Sequence, residues 1–350
     1  MMGVLRTVHA WAGAILSLLL LVLGLTGTLL VFEDDWLRLT IPEARAEFLP
    51  DAARLGTIAE RLEAGHDDLR SVNFAGGIGV QRLYLQGHRY GYADQAGRTL
   101  TTWHGAARPE AFVFDLHHEL MAGTTGAVIS GIAALAAVLL VLTGLVVWAP
   151  AWRATRLRIW PRSGRRGDMV SSHRNLGLMT ALPVLVFCLT GAGLVFHDQA
   201  RAILAQGAPP PPGPPVVGSG DIDWPAALAA AQARFPTATL RMAGWPSAPG
   251  KPASIRMKQP GEWHPNGRTT ILIDPATSRA VQVTDAQKLQ SGLRAINAIY
   301  PLHAASIGGW PYRILTALSG LALALLGGVG TWSFLVKPRR KRRAARTPAT

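Results

Sequence analysis

Apolar runs without a single charge alternate along the chain with stretches where apolar residues recur at short, regular spacing. Four runs are long enough to cross a bilayer core, which takes about 20 helical residues: residues 10–32, 121–151, 175–196 and 314–336. The first is too long for the apolar region of a secretory signal. It also ends in Leu30-Val31-Phe32-Glu33-Asp34 without a small-residue cleavage site, so it predicts a retained helix. Two long segments, 33–118 and 197–308, lie between the runs. In the first, Leu55, Ile58, Ala59 and Leu62 keep helical spacing. Strands are predicted over 71–74, 81–85 and 89–93, with a turn at Asp94-Gln95-Ala96-Gly97. The second segment repeats the plan, with a helix over 224–235, strands over 239–243, 253–257 and 269–273, and a turn at Asp274-Pro275-Ala276-Thr277. A proline-rich stretch, 208–215, predicts a stiff extended spacer.

Composition agrees with a membrane protein. Apolar residues make up 49% and charged residues 16% of the chain, against about 25% charged in soluble domains. That excludes a single soluble globule and a disordered chain. One cysteine, Cys188, excludes an internal disulfide, a cysteine-held iron–sulfur cluster and a C-x-x-C-H haem attachment. The net charge of +14 is carried by three short segments, 1–8, 150–174 and 336–350, which hold one, seven and seven Lys/Arg and one acid, Asp168. Basic stretches flanking apolar runs follow the positive-inside rule. They predict cytoplasmic termini, a cytoplasmic 150–174 loop and periplasmic large segments, and they argue against a nucleic-acid partner, whose footprint would decorate a folded face.

The chain repeats itself. His9-Ala-Trp-Ala-Gly13 opens the first run and His173-Arg-Asn-Leu-Gly177 the third. Seventeen and eighteen residues on stand Thr26-Gly27 and Thr190-Gly191, and at offset 23 stand Phe32 and Phe196. Leu116-His117 precedes the second run and Leu302-His303 the fourth. A glycine follows six residues later (Gly123, Gly309) and again at offset 27 (Gly144, Gly330). The expected fold is therefore membrane α-helical, with four transmembrane helices as two parallel pseudo-twofold repeats and two periplasmic α+β modules. The predicted divisions are helix 1–32, module 33–118, helix 119–151, basic loop 152–174, helix 175–196, linker and module 197–308, helix 309–336 and basic tail 337–350.

The repeat carries four histidines. His9 and His173 are expected at the cytoplasmic ends of spans one and three, and His117 and His303 at the periplasmic ends of spans two and four. A pseudo-twofold axis can bring each pair face to face, presenting two imidazoles to one six-coordinate haem iron. Gly13 and Gly177, one turn on, would admit the macrocycle to the backbone. Zinc competes, but cysteine and clustered carboxylates are missing from these edges. A lone membrane-edge histidine is more often an interfacial residue than a ligand; the matched positions favour haem. Two haems would form an electron path, with about 35 Å of helix rise from His9 to Phe32. His197, matching Glu33, and His118, matching Ala304, break the symmetry; either could replace a periplasmic partner or contact substrate, though polar surface histidine is the commoner explanation. Trp103, Trp224, Trp245, Trp263 and Trp310 are candidate walls of a substrate cleft, or ordinary core residues. Arg6, Arg174 and Lys337 could pair with haem propionates. No dinucleotide fingerprint or P-loop is found, so electrons must come from a separate cytoplasmic reductase or from quinol.

These motifs, His9-x-x-x-Gly13, Leu116-His117-x-x-Leu120-x-x-Gly123, His173-Arg174-Asn-Leu-Gly177, the two Thr-Gly pairs and Leu302-His303, resemble the PepSY-associated transmembrane helix family, which includes iron-regulated membrane proteins and ferric-siderophore reductases. The resemblance spans nearly the whole chain, and the outer segments look like PepSY modules. It implies a bacterial inner-membrane protein with two haem b groups, passing electrons to a ferric siderophore or other ferric chelate in the periplasm. The ligands it implies are His9 with His173 and His117 with His303, with His197 in question for the periplasmic set. Two further readings stand beside it: a non-catalytic PepSY regulator that binds peptidases or other envelope proteins, and a haem b quinol oxidoreductase unrelated to iron.

Overall fold

A computed structural model describes residues 1–74, 76–155, 158–209 and 212–335. The predicted basic tail, with Lys337, lies outside the described residues. Four helices are long and apolar enough to cross a membrane: α1 (Met2–Leu30), α5 (Gly123–Trp148), α6 (Arg166–Val195) and α10 (Gly309–Leu335). Each contains most of one predicted run, and α1 and α6 start more than two turns earlier. Leu20, Ala137, Val184 and Cys188 form their common core. Small residues let α1 and α10 touch: a methyl group on Gly24 would meet the Gly320 carbonyl at 2.5 Å, and one on Gly327 would meet the Ser17 carbonyl at 2.6 Å.

The two outer segments follow one order. After α1 come α2 (Glu33–Thr40), α3 (Ala52–Gly65), β1 (Leu69–Asn73), β2 (Gln81–Leu85), β3 (Arg89–Ala93), β4 (Thr99–His104) and α4 (Pro109–Glu119). After α6 come α7 (His197–Leu204), α8 (Trp224–Arg234), β5 (Thr239–Gly244), β6 (Ala253–Lys258), β7 (Thr269–Asp274), β8 (Arg279–Thr284) and α9 (Ser291–His303). The segments do not build two separate sheets. All eight strands join one antiparallel sheet in the order β4-β3-β2-β1-β5-β6-β7-β8. The seam is β1 against β5, with Val72 opposite Ala243. Each would otherwise be an open edge with unpaired backbone groups, and pairing them removes both edges. The outermost strands, β4 and β8, are not foreseen in the sequence. Neither has a buried position, so neither carries the alternation that marks a half-buried strand.

One face of the sheet packs on α3 and α8, around Leu55, Leu62, Val72, Leu83, Trp224, Leu228, Ile255 and Ile271. The helices meet closely, since a methyl group on Gly56 would lie 2.5 Å from Pro225 Cα. The other face carries a smaller core under α2, with Leu37, Ile41, Val80 and Tyr92. It is also tied to the membrane helices by charge. Arg82 of β2 pairs with Glu33 and Asp34 at 2.9 Å each, and Arg313 of α10 reaches Asp35 and stacks over Phe32 and Trp310.

The passages from sheet to membrane turn sharply. Helix α4 stops at Leu120 (φ 50°), followed by positive φ at Met121 and Gly123; α9 gives way to Ala305 (φ 51°), Gly308 and Gly309. His117 and His303 therefore sit on short boundary helices, one hinge before the spans at whose ends they were expected. A left-handed residue breaks the helix there, which turns α4 and α9 away from the spanning direction.

Candidate metal centre

Four imidazoles meet in two pairs. His9 of α1 and His173 of α6 have ring centres 6.3 Å apart, with planes at 78°. His117 of α4 and His303 of α9 have ring centres 6.1 Å apart, with planes at 39°. Each pair takes one ring from each half of the chain.

Every ring is seated by a spanning helix of its own half. A methyl group on Gly27 would lie 2.9 Å from His117 Cε1, and on Gly191 3.0 Å from His303 Cε1; the distances are 3.3 Å from Gly144 to His9 and 3.5 Å from Gly330 to His173. The two outer rings have the tightest seats. Beside three of these glycines stands a threonine that holds Nδ1: Thr26 with His117 at 3.0 Å, Thr190 with His303 at 3.1 Å and Thr143 with His9 at 3.0 Å. His173 Nδ1 meets the Leu326 carbonyl at 3.2 Å.

These contacts fix the tautomer. Each threonine hydroxyl already donates to the carbonyl one turn back, Val22, Val186 or Leu139. Its oxygen is thus left to accept, and a carbonyl can only accept. All four rings donate from Nδ1–H, so Nε2 carries the lone pair. An Nδ1–H held by an oxygen and an Nε2 free to bind is the usual state of a ligating histidine. Outside the spans, burial pulls the outer pair to a pKa of about 4, with the facing His303 adding to the effect on His117. Both outer imidazoles are neutral at pH 7, as ligation requires.

The separations suit one metal ion between two rings. About 2 Å from metal to each nitrogen, with ~1.1 Å from that nitrogen to each ring centre, gives about 6 Å between centres. Neutral nitrogen donors flanking apolar helices match the chemistry of six-coordinate haem. The pairs lie closer than the rise from His9 to Phe32 implies, because His117 is seated at Thr26 rather than at the end of α1. Seventeen residues separate His9 from Thr26, about 25 Å at 1.5 Å per residue.

Residues 6–337 match the family model described as the PepSY-associated TM region. The chain belongs to the PepSY-associated transmembrane family. No curated protein matches it.

Other residues singled out in this PepSY-associated chain fall elsewhere. His197 begins α7, exposed, with Nδ1 3.6 Å from Asp198, and joins neither pair. His118 is exposed and stacks on Phe114. A methyl group on Gly13 would meet nothing within 4 Å, and one on Gly177 only Leu326 Cδ2 at 3.6 Å, so the glycines that seat the imidazoles are others. The tryptophans do not line one cleft. Trp224 and Trp245 stack in the core and donate to Glu63; Trp103 packs on Tyr92; Trp263 is exposed and Trp310 lies under Arg313. Arg6 is exposed, and Arg174 donates to Ser171 and Asn175.

In the sequence the Thr-Gly pairs stand only as matched offsets of the repeat; that they seat the histidines is seen in the fold. The signal was present: Gly27 and Gly191, then Gly144 and Gly330, recur at matched offsets from matched histidines. The Leu326 carbonyl had no signal, because a backbone acceptor leaves no mark on residue type.

Proposed function

We propose that this membrane protein is a dihaem electron-transfer protein of the bacterial inner membrane that reduces ferric chelates, ferric siderophores among them, on the side that carries the sheet. The observation behind this reading is the two facing pairs of Nδ1–H imidazoles, His9 with His173 and His117 with His303, about 25 Å apart along α1. Haem b held by these pairs would supply the one-electron chemistry that no side chain provides.

The chain's own residues set the conditions. Thr26, Thr190, Thr143 and the Leu326 carbonyl orient the rings and raise their basicity. The basic 150–174 loop supports a cytoplasmic side there by the positive-inside rule, with the sheet in the periplasm. The matched element order, and the seating of each histidine within its own half, support two parallel repeats about a pseudo-twofold axis. An electron from a cytoplasmic reductase or quinol converts Fe(III) to Fe(II) in the chelate, which holds the softer ion less tightly and releases it.

The test is the absorption spectrum of the detergent-purified protein, oxidised and then reduced with dithionite, with a pyridine haemochrome count. The expected result is two b-type haems per chain, reoxidised by a ferric siderophore. A colourless protein from haem-replete cells would refute the reading.

A further inference from the structure

The second face of the sheet is not uniform. Its β1–β3 half is covered by α2, and its arginine there, Arg82, is neutralised by Glu33 and Asp34. The β5–β7 half is basic. Ile255 and Met257 of β6 point into the α3/α8 core, so Arg256 and Lys258 project from the opposite face. Arg268 stands at the start of β7, next to Thr269, which is opposite Met257.

Among the described residues, none of Arg256, Lys258 and Arg268 enters a salt bridge. The Nε atoms of Arg256 and Arg268 are buried without a hydrogen-bond partner. Glu262, the nearest acid, is committed to its own loop: it accepts from the Gln259 and Arg268 backbone N–H groups and from the Thr269 hydroxyl. Burial lowers the pKa of Arg256, Lys258 and Arg268; Arg241 lowers Lys258 further and Arg256 lowers Arg268 further, against a smaller opposite pull from Glu262 on both. Three half-buried cations share one acid, Glu262, which offsets part of the charge on Lys258 and Arg268; the positive charge left over is costly to bury unless a ligand supplies the countercharge.

The cluster is next to the outer imidazoles. His264, beside these cations, has its ring 4.9 Å from Tyr300, and Tyr300 stands one turn before His303 on α9. A groove of about 700 Å³ opens on the same face, lined by Ser71, Tyr84, Tyr90, Met242 and Ser254. Ser254 is two residues from Arg256 along β6, so the groove neighbours the cations without being lined by them.

We infer that Arg256, Lys258 and Arg268, with His264 and Tyr300 beside them, form a binding site for a small carboxylate-rich anion, and that the ferric chelate this chain reduces is an anionic one of the polycarboxylate class. The second clause rests on the reductase reading; anion binding does not. Guanidinium groups take carboxylates in pairs of charge-assisted hydrogen bonds, and a ligand held here is presented to the pair nearest the sheet.

The experiment is isothermal titration calorimetry of the full chain in detergent with gallium(III) citrate, an anionic and redox-inert probe. A gallium trihydroxamate bearing a positive charge serves as comparison. The wild type is expected to bind the citrate complex and to prefer it over the cationic one. R256Q/R268Q should weaken it at least about tenfold, as lost charged hydrogen bonds do, while R256K/R268K, which keeps the charge but not the paired geometry, should fall between the two. Equal affinity in wild type and R256Q/R268Q, or equal binding of the cationic complex, overturns the site. Should R256Q/R268Q fail to fold by circular dichroism, added salt on the wild type decides, because screening must weaken an anion site and unchanged affinity refutes it. Gallium citrate bound by a colourless protein would keep the anion site and end the dihaem reading. A two-haem protein indifferent to R256Q/R268Q would do the reverse.

Discussion

The inner and outer imidazole pairs reach the same spacing by different means. His9 and His173 stand on the spanning helices themselves, so the packing of the bundle alone sets their distance. His117 and His303 stand on α4 and α9, each joined to its span through left-handed residues, so the position of the sheet also bears on them. The seats differ too. A Cβ on Gly27 or Gly191 would lie 2.9 or 3.0 Å from an outer ring, tighter than the 3.3 Å at Gly144 and the ordinary 3.5 Å at Gly330 for the inner rings. The outer pair is therefore the more finely fitted, and it is the pair that the sheet can influence.

Removing a ring should separate the pairs most sharply. His117→Ala or His303→Ala is expected to cost the outer haem and leave the inner one, halving the haemochrome count; His9→Ala or His173→Ala should do the opposite. Two haems retained in any of the four would break the assignment for that residue. Acid comes next, in the haem-free chain. Folded His117 and His303 stay neutral down to about pH 4, while histidine in the denatured chain takes its proton near 6.5. The denatured state then binds more protons, so stability falls as pH drops from about 6.5 toward 4. Thermal melts across that window should show the loss, and His117→Gln/His303→Gln should flatten it.

Glycine replacements sharpen the contrast in seating. Gly27→Ala and Gly191→Ala force a methyl group against the outer rings, an overpacking that costs about 1–3 kcal/mol. Outer-haem affinity should fall roughly tenfold or more. Gly144→Ala and Gly330→Ala should keep both haems, and equal losses from all four would mean that the seats do not differ.

How much of this was legible in the sequence depends on what each feature requires of residue type. The four spans were readable because a bilayer demands long charge-free runs. So were six of the strands, such as β6, where Ala253, Ile255 and Met257 alternate with Ser254, Arg256 and Lys258. The pairing of histidines across the halves followed from the repeat. The fusion of two modules into one sheet was not legible, because β1–β5 pairing is made by backbone groups that any strand carries. Nor was the hinge after α4, where Leu120 takes a left-handed conformation that its residue type does not announce. The unbalanced cations of β6 and β7 lay in the sequence as ordinary strand residues. Only the fold shows that Glu33 and Asp34 serve Arg82, while Arg256 and Arg268 enter no salt bridge among the described residues.

The smallest expected effect concerns the hydrogen bonds behind the ligands. The outer pair has two removable ones, Thr26 and Thr190. The inner pair has one, Thr143, because Leu326 acts through a carbonyl that no side-chain change deletes. An acceptor on Nδ1–H makes the imidazole a stronger donor at Nε2 and favours the ferric state, so replacing threonine by valine should raise the midpoint potential. At about 1 kcal/mol per bond, and 59 mV for each tenfold change in a one-electron couple, each loss is worth about 40 mV. Redox titration of Thr26→Val/Thr190→Val should move the outer haem by roughly twice what Thr143→Val moves the inner one. Shifts of equal size, or a fall in potential, would show that the threonines position the rings sterically and do not tune them.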